Sequence, residues 1–153
     1  MSTLSCRWVL VPLCLATTAQ AGVLLEKVSS PGFVMPSYAI TKNCTISDTG
    51  QLTLQYQLEA MSSKRTLPLQ LTKASIKAKI AEAALGKISS ESFPVDVGTV
   101  SYNAYQKQTD GSDKKVVLYE QNGGSGEKKV NDSEAAAALR NFIDVNCGNQ
   151  LLQ

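Results

Sequence analysis

Between Leu52 and Glu59 apolar and polar residues alternate without a break, with Leu52, Leu54, Tyr56 and Leu58 set against Thr53, Gln55, Gln57 and Glu59. A period of two places one set on a covered face and the other in water, the pattern of a half-buried strand. A weaker alternation precedes it over Ser37–Ser47, where Tyr38, Ile40, Cys44 and Ile46 share a side and Lys42 interrupts. Ser47-Asp48-Thr49-Gly50 between them has the composition of a tight turn with glycine last, so the two runs pair as a hairpin. Upstream, Gly22–Ser37 contains Pro31, Gly32 and Pro36 and reads as an irregular lead-in with at most a short edge strand. Downstream, Met61–Arg65 reads as a polar connection to a third strand near Thr66–Leu71.

The period then lengthens to that of a helix over Thr72–Leu85. Ile76, Ile80, Ala83 and Ala84 form one apolar stripe, Ala74, Ala78, Ala81 and Leu85 a second, and Ser75, Lys79 and Glu82 the polar side. An arc this wide predicts a helix covered from two sides, or one that leaves a weakly apolar strip open. Gly86 stands where a left-handed cap is favoured. Thr99–Lys107 and Lys115–Gln121 read as a second hairpin, and Asn122–Lys129 as a flexible polar loop. A last helix is expected from Asp132 or Ser133 to about Val145. Ala135, Leu139, Phe142 and Ile143 gather on its inner side, and Arg140 and Asp144 are spaced for an i,i+4 ion pair. The sum is an α+β domain, an antiparallel sheet of about five strands with two helices packed on one face.

Residues 1–21 do not belong to this pattern. Arg7, the apolar run Trp8–Ala16 and the small-residue ending Ala19-Gln20-Ala21 follow the order of a secretory signal, with cleavage expected after Ala21. The apolar run is far short of the ~20 residues of a spanning helix, so no transmembrane segment is expected in the mature chain, residues 22–153. Lipidation at Cys14 is the rival reading, and the bulky Leu13 before that cysteine argues against it. A secreted or periplasmic domain is the outcome. Removal of the signal leaves Cys44 and Cys147, which in an oxidising compartment form one disulfide. It would pin the final helix against the first hairpin.

The 153 residues carry 15 basic and 13 acidic side chains, a net charge of +2. No basic stripe is present, so a nucleic-acid partner is not expected. The chain has no histidine, which removes the commonest general base and metal ligand and the usual catalytic triads. No metal site and no cofactor are expected. Asp110-Gly111-Ser112-Asp113 lacks the ligand alternation of a calcium loop and reads as a solvated turn. Ser112-x-x-Lys115 and Ser125-x-x-Lys128 fit a Ser/Lys pattern but fall in loops, without the helix start and partner motifs that give it meaning. On the first helix Ser75 and Lys79 lie a turn apart with Glu82 beside the lysine. Lys77 reads as an aliphatic stem over the core with its ammonium in water. Asn43-Cys44-Thr45 and Asn131-Asp132-Ser133 match the glycosylation pattern.

The function that fits is a small exported, non-catalytic binding or interaction domain for a protein or small ligand. Its contacts are expected at Lys64 and Arg65, at the glycine loop of Gly123, Gly124 and Gly126, or on the open sheet face. The alternatives are a small hydrolase with a Ser/Lys or carboxylate site, and a protease inhibitor presenting Lys64 or Arg65.

Overall fold

The computed structural model describes residues 22–148. The signal-like segment and Cys14 lie outside the described residues. Eight strands form one antiparallel sheet: β1 (Val23–Ser30), β2 (Thr41–Ser47), β3 (Gln51–Leu58), β4 (Met61–Pro68), β5 (Ile88–Ser92), β6 (Thr99–Lys107), β7 (Asp113–Asn122) and β8 (Glu127–Asn131), in spatial order β4-β3-β2-β1-β6-β7-β8-β5. Two α-helices, α1 (Lys73–Ala83) and α2 (Glu134–Gly148), cover one face. The α+β class and the antiparallel pairing are as expected, but the sheet has eight strands rather than about five.

The extra strands carry polar sequences whose polar groups find partners inside the fold. Central β1, expected as a lead-in, pairs with β2 on one side and β6 on the other. Its Lys27 reaches Asp144 of α2 at 2.6 Å on the helix side, and its Glu26 accepts from Tyr105 Oη at 2.7 Å on the open side. Once those charges are satisfied, a strand reading Leu-Glu-Lys-Val can occupy the middle of a sheet. Met61–Arg65 is the first half of edge strand β4, not a connection. Strand β8 takes the second half of the expected glycine loop, and β5 pairs with it as the other edge.

The core lies between sheet and helices. Leu25, Ile46, Leu52, Leu54, Ala104, Val116 and Leu118 meet Ile76, Ile80 and Ala83 of α1 and Ala135, Ala136, Leu139 and Ile143 of α2. Only the first expected stripe of α1 is buried. Ala74, Ala78, Ala81 and Leu85 face solvent, so the helix is covered from one side and the open strip is real. Phe142 is partly buried at the edge of the core rather than inside it. Cys44 of β2 and Cys147 of α2 form the expected disulfide, with Sγ–Sγ 2.09 Å and Cα–Cα 6.2 Å.

Two local expectations change. Gly86 is not in the left-handed region; a side chain there would overlap Asn131 Oδ1 and Ser133 Oγ. It is small because β8 passes against the end of α1, where buried Asn131 donates to Ala83 O at 2.8 Å and Val117 O at 3.2 Å. At the start of α2 the capping acceptor is Ser133, whose Oγ accepts from Ala136 N at 3.1 Å. Asp132, the other candidate cap, accepts from Ser89 Oγ at 2.9 Å.

Candidate functional site

Antiparallel pairing brings four connections to one end of the sheet: Pro31–Ile40 between β1 and β2, the β3–β4 turn, 93–98 between β5 and β6, and the 123–126 turn between β7 and β8. The large hydrophobic side chains that remain in solvent concentrate here. Phe33 is 93% exposed, Met35 71% and Tyr38 69%, with Val34, Ile40, Met61, Val95 and Val97 also open to water. Scattered exposed apolar residues are ordinary; here eight of the eleven exposed large hydrophobics among the described residues fall at this one end.

The backbone holds these loops in place. Pro36–Tyr38 forms a 3-10 turn, with Tyr38 N donating to Met35 O at 2.8 Å and Ala39 N to Pro36 O at 3.0 Å. Phe93 N donates to Gly126 O at 2.7 Å, Asp96 N to Gly123 O at 3.0 Å and Gly123 N to Gly98 O at 3.2 Å. A side chain at Gly32 would strike the backbone of Asp96 and Gly98, and one at Gly123 the backbone of Val97 and Gly98. Glycine is therefore what lets three loops close on one another. The concavity where they meet is lined by Pro31, Gly32, Phe33, Asp96, Gly98 and Gly123 and measures about 290 Å³. The segment Pro31–Ile40 has no charged residue, and the adjoining loop brings Asp96.

Gly123, Gly124 and Gly126 thus sit in this cluster, as a tight turn rather than as half of a flexible loop. Lys64 and Arg65 do not join it. They lie within β4, opposite Gln55 and Leu54, as exposed charges on an edge strand, a placement that discourages pairing with a further strand. The open sheet face carries half-buried Glu26 near its centre. Glu26 there accepts from Tyr105 Oη and from Asn103 Nδ2 at 3.3 Å. Burial first, and then the Glu26 carboxylate, push the Tyr105 phenol up to about 12. Phe33, Val34, Met35 and Tyr38 had no part in the sequence-based site. Their signal was an apolar run inside a Pro/Gly-rich segment, without the periodicity that a core element would impose.

The catalytic candidates are not assembled into pairs. Ser112 Oγ donates to Asp110 Oδ1 at 2.6 Å within the β6–β7 turn; this bond and that from Ser112 N hold the Asp110 carboxyl below its usual range. Lys128, the partner proposed for Ser125, is bound to Glu91 at 2.9 Å, and that contact raises its pKa and keeps it a cation. Lys77 is exposed and lines a second concavity of about 290 Å³ at the opposite end of the sheet, with Asp48, Lys107 and Asp113. Among the described residues no group of three or more Cys, Asp or Glu side chains converges as a metal site would require, and no helix is long and apolar enough to cross a membrane. Asn131 is 2% exposed with its amide committed to two carbonyls, so its glycosylation is incompatible with this fold. No protein-family model, curated protein or solved structure matches the chain.

Proposed function

We propose that the protein is an exported, non-catalytic interaction domain that docks a partner protein through the loop end built on Phe33, Met35 and Tyr38. The observation that carries this reading is the concentration of open apolar side chains on loops fixed by backbone hydrogen bonds. Apolar surface of that kind releases water on binding, and loops already held in shape lose little further freedom. A partner protein fits better than an anionic membrane surface, because Pro31–Ile40 lacks the basic residues that such surfaces attract and Asp96 adds the opposite sign.

Export is supported by the order of residues 1–21 and by a disulfide that closes a 103-residue separation, since such bonds persist in oxidising compartments. The test is recovery of bound protein from envelope and culture fluid with tagged wild type and with Phe33→Ser/Met35→Ser. Both side chains are exposed, so the variant should fold with unchanged stability and lose the bound species. Equal recovery by the two proteins would refute the assignment.

A further inference from the structure

The geometry points to a binding site for a single carboxylate in the cleft between α2 and strands β6 and β7, with Arg140 as its anchor. The i,i+4 spacing makes Asp144 the natural counterion of Arg140, yet the fold gives Asp144 away. Its Oδ1 takes Lys27 Nζ at 2.6 Å and Tyr102 Oη at 2.8 Å. Arg140 is left half-buried, with its guanidinium over the Tyr119 ring at 5.4 Å and its Nε buried without a hydrogen-bond partner. Among the described residues no carboxylate lies within ion-pair distance of it. A charge held at a partly dry site without a counterion is unfavourable, and the fork of donors on arginine suits a carboxylate.

The cleft around it measures about 430 Å³, within the size range of small-molecule sites. Tyr102 and Tyr119 meet edge to face at 5.9 Å and offer aromatic surface for a flat ligand body. Tyr119 Oη donates to Gln121 Oε1 at 2.8 Å, which leaves the Gln121 amide nitrogen as a further donor. The charge balance sets the class of ligand. Lys27 cancels Asp144 and Lys128, opposite Gln121, cancels Glu91, so Arg140 supplies one net positive charge, and Asp144 repels a second negative one. A monoanion fits, and a phosphate monoester does not. The site is on the helix-bearing face and does not depend on the loop end.

The experiment is an NMR titration of the isotopically labelled full domain, at constant ionic strength, with benzoate and with its uncharged analogue benzamide. Benzoate should shift the amides of 119–121 and 137–144 saturably, and benzamide should bind at least about ten-fold more weakly. Arg140→Gln should weaken benzoate by about ten-fold or more, Arg140→Lys should keep part of the affinity, and Phe33→Ser should change nothing. An acetylated dipeptide with a free C-terminus, compared with its amide, separates the two sources of the carboxylate. Tighter binding than benzoate assigns the site to a peptide end, and weaker binding to a small acid. No saturable shift with benzoate, equal binding of benzamide, or tighter binding of phenyl phosphate overturns the inference. The wild-type comparison decides the matter even if Arg140→Gln fails to fold.

Discussion

Breaking the Cys44–Cys147 bridge should rank with the costliest core truncations while leaving the sheet and helices otherwise intact. The two cysteines are 103 positions apart, and chain-entropy reasoning for a loop of that length gives about 4.7 kcal/mol, with about 2–5 kcal/mol typical when native bridges are removed. Both residues are buried, at 6% and 4% exposure, so alanine is the better replacement because it leaves no hydroxyl without a partner. A domain of this size loses roughly 3–4 °C for each kcal/mol, so Cys44→Ala should melt about 6–20 °C below wild type. Cys147→Ala should match it within about 1 kcal/mol, and the double variant should be no worse than either single by more than that. The reason is that one substitution already removes the whole constraint. Urea unfolding of the four proteins, with intact mass before and after reduction and alkylation, gives the complete cycle. Losses that add in the double variant, or that differ widely between the singles, would mean that the sulfurs act through local packing and that the crosslink is not what ties α2 to β2.

Leu139→Ala should cost about 2–5 kcal/mol in urea unfolding, because the side chain is 1% exposed between helix and sheet; Phe142→Ala, at the core's edge, should cost less, and the reverse order would misplace α2. Gly86→Ala should cost about 1–3 kcal/mol as overpacking, since the new methyl meets Asn131 Oδ1; an unchanged denaturation midpoint would show that the α1–β8 contact is looser than described. The fold favours the neutral phenol of Tyr105, so that stabilisation is complete below the ordinary tyrosine value of about 10 and is lost as pH rises through about 12. Alkaline difference absorbance between wild type and Tyr105→Phe should show that late ionisation, and a difference titrating near the ordinary value would contradict the Glu26 contact.

The parts of the fold that were legible in the sequence are those where burial imposes a period. The β2–β3 and β6–β7 hairpins, both helices and the cysteine pair follow from alternation, from the 3.6-residue repeat and from cysteine count. Strands β1, β5 and β8 were not legible because their residues are polar for reasons outside the strand. Glu26 and Lys27 look like surface residues until Tyr105 and Asp144 are placed opposite them. Ile88–Ser92 and Glu127–Asn131 are held by each other's backbone, with Lys128 and Glu91 paired across the ladder. The same separation in sequence hid the cleft, since helical spacing alone joins Arg140 to Asp144 and cannot foresee Lys27 from 117 positions away. At the loop end the glycines at 123–126 marked the place, but the side chains that give it character lie about ninety residues earlier, in a segment that proline and glycine make look merely irregular.

The most direct test of the interaction assignment is photo-crosslinking in the native host, with a benzophenone amino acid in place of Phe33 and, as control, in place of exposed Gln55 on the open sheet face. A discrete protein adduct at position 33 and none at 55 is the predicted result. No adduct at 33, or the same adduct from both positions, would contradict it.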